Sequence, residues 1–244
     1  MIFTIVHYNT PELTMACVMS IIKHNGKDST IYIFDNSDKY KFGKSYASVH
    51  VIDNTTGGII NFDTEVANFI EKNNVSSDII EHERQCSNFG SFKHSLSVEW
   101  LLTHANGSFV LLDSDVLVKH NLESICDHNY AFVSDVREPT IRIFPFITYF
   151  NTKMLRDNDI HFCDKVNIYP NYSTPKNDTG GFFLQSVINK QLPYKKISYN
   201  DYVVHYGNGS WKTNATSAKQ NSGFNCANLS KEEWLTKYRQ LYRL

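Results

Sequence analysis

Two carboxylates close an apolar run in this chain, Phe109-Val110-Leu111-Leu112-Asp113-Ser114-Asp115. Side chains alternate along a strand, so Asp113 and Asp115 share one side if the strand continues through Ser114. Two hard oxygen donors this close suit Mg²⁺ or Mn²⁺, particularly where phosphate oxygens complete the coordination shell. Asp-x-Asp is also an ordinary solvated turn, so what precedes it matters. Phe109 to Leu112 lacks polar alternation, the pattern of a strand covered on both faces in a parallel sheet between helices. Ligands of such sheets sit beyond the carboxyl ends of the strands, where the acid pair falls.

The elements around this strand follow a βα rhythm. Met1 to Val6 predicts a buried strand, and Thr10-Pro11-Glu12 supplies an N-cap, a proline at the first helical position and an early acid. Leu13, Ala16, Cys17, Ser20 and Ile21 recur at helical spacing up to Asn25-Gly26. Thr30 to Phe34 predicts the next strand, and Asp35 ends it on the sheet edge that also holds the end of the first strand. Ser48 to Asp53 reads as a short strand and Ile59 to Val75 as a weak helix. Leu96, Trp100 and Leu101 mark a helix that opens at Asn88-Phe89-Gly90 and ends near Gly107, with Trp100 in its apolar face. Leu122 and Ile125 suggest a short helix, and Ala131 to Ser134 a strand.

Ile141 to Phe150 is rich in β-branched and aromatic residues, but Pro139 and Pro145 favour an edge or bulge over a central strand. Tyr169 to Asp178 predicts a polar loop, followed by a helix over 182–188 capped by Asp178 or Thr179. Tyr202 to Tyr206 reads as the final strand. Ser230-Lys231-Glu232-Glu233 fits a capping box before an apolar stripe of Trp234, Leu235, Tyr238, Leu241 and Tyr242. The expectation is a domain over 1–212 and, over 213–244, a polar linker with an amphipathic helix. That helix either docks on its own domain or makes a peripheral membrane or homo-oligomer contact.

At 244 residues and 41% hydrophobic content the chain can bury one large core. A net charge of −1 excludes a general attraction to nucleic acid or anionic lipid. The five cysteines contain no C-x-x-C pair, so neither a disulfide framework nor a zinc cage is indicated. No uncharged run approaches the roughly 18 residues that span a bilayer, and the opening residues show no secretory pattern, so a cytoplasmic protein is expected.

Taken in order, Asp35, Asn88-x-Gly90, Asp113-x-Asp115 and His205 resemble the GT-A glycosyltransferases. The opening half resembles glycosyltransferase family 2: a first strand ending at Tyr8-Asn9, Phe34-Asp35-Asn36-Ser37-Asp38 after the second strand, then Asn88-Phe89-Gly90 before the acids. His205-Tyr206-Gly207-Asn208-Gly209-Ser210-Trp211 resembles the closing motif of retaining GT-A families. The resemblance implies a GT-A (Rossmann-like) α/β fold with a mostly parallel sheet flanked by helices. It implies transfer of a sugar from a nucleotide diphosphate donor, UDP-sugar favoured, to a saccharide or lipid-linked acceptor, with Mn²⁺ or Mg²⁺ as cofactor.

By the same resemblance Val6, Tyr8, Asn9, Asp35, Asn88, Gly90, Asp113 and Ser114 bind the nucleotide. Asp113, Asp115 and His205 hold the metal, Asp115 being the favoured direct ligand. Asp178 is the base that takes the proton from the attacking hydroxyl in an inverting reaction. Thr179, Gly180 and Trp211 face the acceptor, Trp211 offering a ring for a sugar to stack on. The family 2 pattern commonly has two adjacent acids where this chain has Asn177-Asp178, so a retaining enzyme without a side-chain base is the alternative.

Two other classes remain. A nucleotidyltransferase needs a Gly-rich basic loop early in the chain, yet Val6 to Thr10 has no Gly, Lys or Arg. A noncatalytic nucleotide- or carbohydrate-binding module would bind without turnover.

Overall fold

The computed structural model describes residues 1–43, 47–73, 88–137, 142–163, 179–206 and 231–242. Its first half is the predicted βα series: β1 (Ile2–His7), α1 (Pro11–Asn25), β2 (Thr30–Asp35), β3 (Val49–Asp53), α2 (Phe62–Asn73), α3 (Asn88–His104) and β4 (Phe109–Asp113). Proline at its start and Gly26 at its end bound α1, the Gly26 N–H bonding the Ile22 carbonyl at 3.1 Å.

β1 pairs in parallel with β2 on one side and β4 on the other, and β3 extends the sheet beyond β2. Alternate side chains of these strands feed two cores. Phe3, Ile5, Ile31, Ile33, Val110 and Leu112 meet Cys17, Val18 and Ile21 of α1. Phe34, Phe109 and Leu111 point the other way, toward Val66 of α2 and Leu96 and Leu101 of α3. Full burial on both faces explains the unbroken apolar run of β4.

Beyond β4 the order changes direction. The chain continues through β5 (Val116–Val118), a 3₁₀ turn (Glu123–Ile125), β6 (Phe132–Arg137), β7 (Arg142–Phe150) and α4 (Thr152–Asp157). It then forms α5 (Gly181–Asn189), β8 (Tyr194–Lys196), α6 (Tyr199–Tyr202), β9 (Val203–His205) and α7 (Lys231–Tyr242). Seven strands make one mixed α/β sheet in the order β3-β2-β1-β4-β7-β6-β8, and β5 pairs with β9 in a separate ribbon.

Four expectations are corrected. β7 is an interior strand, antiparallel to both β4 and β6, despite Pro145. The β6 ladder shifts register between Ser134 and Asp135, and β4 pairs only as far as Ile147, so neither neighbour requires an N–H from Pro145. β4 ends at Asp113, with Ser114 and Asp115 in a turn, so strand alternation does not align the two acids. Tyr202 closes α6, and the last strand is only Val203–His205.

The fourth correction concerns the cap of α5. The N-cap is Gly180, in the left-handed region at φ +79° and without a side-chain cap bond. A Cβ at Gly180 would overlap Cγ1 of Ile143 on β7. Gly180→Ala therefore combines a left-handed penalty with overpacking and is expected to destabilise by about 3 kcal/mol. Urea unfolding measures it; an unchanged midpoint would refute this packing.

Trp234 of α7 is fully buried and Leu235 nearly so, against Leu13 and Ala16 of α1 and Leu117 of β5. Lys231 adds an exposed ion pair to Glu12 at 2.8 Å. The C-terminal helix thus docks on its own domain. Within the described residues no helix is long and apolar enough to cross a membrane.

Candidate functional site

The sheet order reverses between β2 and β4, on either side of β1, which makes the carboxyl ends of β1 and β4 a topological switch point. Val6 stands opposite Asp113 in that ladder. Thr10, at the cap position of α1, uses its hydroxyl not for the helix but toward Ser114 Oγ, 3.4 Å away. The start of α1 and the acidic turn are thereby joined.

His205 reaches the turn through the ribbon. Val116 lies opposite His205 in the β5–β9 ladder, and the Tyr206 N–H donates to the Asp115 carbonyl at 2.9 Å. His205 Nε2 is 3.1 Å from Asp115 Oδ1 and 4.0 Å from Asp113 Oδ2. Asp113, Asp115 and His205 each present one donor atom, and these atoms lie within 4.8 Å of one another. Two carboxylates and an imidazole are donors that could hold a divalent cation. Phe146 of β7 stacks on the imidazole at 3.8 Å between centroids, fixing the ring plane.

Burial opposes protonation of His205, but the charge and hydrogen bond of Asp115, with Asp113 behind it, outweigh it and raise its pKa above the ordinary imidazole value. Asp115 and His205 side chains are 8% and 5% exposed, whereas Asp113 keeps 20%, so Asp113 marks the open side. Beneath the pair, burial drives the Cys17 thiol well above its usual range, with Asp115 and Asp113 adding to the effect; it is an apolar filler there.

The remaining predicted residues divide into three groups. Tyr8 and Asn9 sit at the end of β1 and close onto the loop after β2. Asn9 is left-handed at φ +54°; its Oδ1 accepts the Lys39 and Tyr40 N–H groups, and its N–H donates to Ser37 Oγ. The Tyr8 hydroxyl donates to Asp38 at 3.1 Å. Asp35 is buried, and its two carboxylate oxygens accept the Ser37 and Phe42 N–H groups at 2.9 and 2.8 Å. It shapes that loop from within. Asn88 and Gly90 form the first turn of α3. Thr179 and Gly180 are buried at the start of α5 beside β7. Asp178 and Trp211 lie outside the described residues.

Sequence reasoning passed over His94 and Lys93 of α3. His94 Nε2 is 3.4 Å from Asp113 Oδ1, and Lys93 Nζ is 5.3 Å from the Tyr8 ring. A signal existed for His94: it is seven residues before Leu101, within the stripe assigned to the core, where an imidazole is out of place. Phe146 carried none.

Glu99 of α3, itself buried, accepts the Phe162 N–H and bonds His161 at 2.7 Å, tying down the residues that precede 164–178. That bond is the main cause raising the pKa of His161.

No protein-family model matches the chain, and neither does any curated protein. Solved structures do. The bifunctional glycosyltransferase WbbM matches 80% of this chain at 12% identity and a TM-score of 0.39, but only 38% of WbbM is covered. The galactosyltransferase LgtC, solved with donor and acceptor sugar analogues, matches 80% at 12% identity and 0.42, with 73% of it covered. The mannosyltransferase PcManGT of Pyrobaculum calidifontis, solved with GDP-Man and Mn²⁺, matches 80% at 11% identity and 0.45, with 54% of it covered. Superpositions this loose leave the chemistry to be read from the site itself.

Proposed function

We propose that this chain is a metal-dependent glycosyltransferase, moving a sugar from a nucleoside diphosphate donor, UDP-sugar in first place, to a saccharide or lipid-linked acceptor. The observation that carries this is the Asp113, Asp115 and His205 group at the switch point of the sheet. Asp115 and His205, with the Asp113 carboxylate on the open side, would hold the cation. An imidazole among the donors favours Mn²⁺ over Mg²⁺, which takes oxygen almost exclusively. When bound, the ion neutralises charge that grows on the departing diphosphate.

The chain's own residues supply the rest. Tyr8, Asn9 and Ser114 line the nucleotide side, and Asp35 holds the 37–42 loop in shape beside them. Asp178 is assigned the base of an inverting reaction, on its place just before Thr179-Gly180, with Thr179, Gly180 and Trp211 on the acceptor side. The reaction is assigned to the cytoplasm.

A thermal-shift series with UDP, GDP and CDP, with and without Mn²⁺, tests the reading. A saturating nucleotide with Mn²⁺ is expected to raise Tm by about 5 °C, and the nucleotide alone by much less. No shift with any of the three would overturn it. Once the donor is known, the anomeric configuration of the product decides the role of Asp178: a retained anomer rules out the inverting base.

A further inference from the structure

α3 brings a second imidazole to the acid pair, and nothing assigned so far uses it. His94 Nε2 stands 3.4 Å from Asp113 Oδ1, while the other oxygen of that carboxylate, Oδ2, faces His205. Among the described residues Asp113, Asp115 and His205 form the one group of three whose donor atoms all lie within 4.8 Å of one another, and His94 is not in it. His94 is therefore on the Oδ1 side of Asp113, outside the metal ligands. Both of its ring nitrogens are buried, and neither hydrogen-bonds any described residue. A buried polar atom without a partner is costly and uncommon in a folded chain, and such atoms concentrate at functional positions.

The surroundings define what would complete this imidazole. Its neighbour Lys93 places a cation between the rings of Tyr8 and Phe62, at 5.3 and 5.2 Å. Asp113 is the more exposed of the two acids, its side chain at 20% against 8% for Asp115. An imidazole thus stands beside a carboxylate of the candidate cation site, with the Lys93 ammonium one residue earlier on the same helix. That arrangement suits an anionic oxygen also bound to the cation. A neutral imidazole suffices, because one ring nitrogen always carries a proton.

We propose that His94 is a donor-binding residue, donating its Nε2 N–H to a phosphate oxygen of the diphosphate, which is held between this imidazole and the cation. The proposal rests on the glycosyltransferase reading. It goes further by giving the diphosphate a contact separate from the metal.

Calorimetry on the full chain separates the two contacts, using Mn²⁺ alone, UDP with Mn²⁺, and UDP-glucose with Mn²⁺; GDP and GDP-mannose replace them if the protein prefers guanine. His94→Leu is expected to weaken UDP about tenfold or more, the value of a hydrogen bond to a charged group, and UDP-glucose equally. Mn²⁺ binding without nucleotide should stay within about twofold, which also shows that the variant is folded. His94→Gln, whose amide N–H reaches a similar position, should recover most of the UDP affinity. Unchanged UDP binding by His94→Leu overturns the proposal. So does a parallel loss of Mn²⁺, which would make His94 a ligand or a scaffold residue, or a loss confined to UDP-glucose, which would place the contact on the sugar. If the unaltered protein binds no nucleoside diphosphate, the glycosyltransferase reading itself falls; if it does and His94→Leu matches it, only the role of His94 falls.

Discussion

Asp115→Asn is expected to lower sugar transfer about 10³-fold, the scale of losing a charge-stabilising group aimed at a developing anion, and to abolish Mn²⁺ binding with it. The substitution is chosen so that the fold survives. An asparagine oxygen still accepts from His205, whose Nε2 lies 3.1 Å away, and the Asp115 carbonyl keeps its bond from the Tyr206 N–H. What disappears is the charge. Asp115 is nearly buried, in a setting where water screens little, so a neutral amide cannot replace a carboxylate against a divalent ion. Mn²⁺ titration by calorimetry or electron paramagnetic resonance reads the effect directly. Wild-type Mn²⁺ affinity in a folded Asp115→Asn protein would remove Asp115 from the metal centre and the proposed chemistry with it.

Trp234→Ala is expected to cost about 3–5 kcal/mol, the usual range for emptying a fully buried aromatic site. Trp234 packs edge-on against Tyr206 at 5.3 Å between centroids and shares a cluster with Leu13, Ala16 and Leu117. Leu117 belongs to β5 and Tyr206 follows β9, so the helix covers the outside of the ribbon that carries His205. The loss should therefore appear twice. Tm falls by roughly 10 °C for a chain of this size, and Mn²⁺ affinity falls because His205 is less firmly held. Differential scanning calorimetry and Mn²⁺ titration of the same variant provide both readings. A variant with unchanged Tm would show that the helix does not hold this ribbon in solution.

Local pattern carried much of the fold. A strand buried on two faces has to be apolar without interruption, and Phe109 to Leu112 is; a helix begun by Thr10-Pro11 and ended by Gly26 needs no distant partner to be recognised. The Trp234 stripe likewise announced an amphipathic helix, and its docking face follows from the two residues that are buried. β7 was hidden because a proline signal is local, whereas the register shift that leaves Pro145 unpaired against β6 is set by how the two strands pair.

At the site, the residue types of the acid pair and the end of the apolar strand before it were determined by sequence alone, since hard oxygen donors at the carboxyl end of a buried strand are a property of consecutive residues. Which groups join them was decided by tertiary structure. His205 is ninety positions from Asp115 and meets it only because β5 and β9 pair. Asp113 and Asp115 come together through a turn and not through strand alternation, and His94 reaches Asp113 from a helix whose pattern otherwise reads as core. Such contacts have no period along the chain. They arise from strand pairing and helix packing across the sheet, which is why the chemistry of Asp113 and Asp115 was visible in the residues and its partners were visible only in the fold.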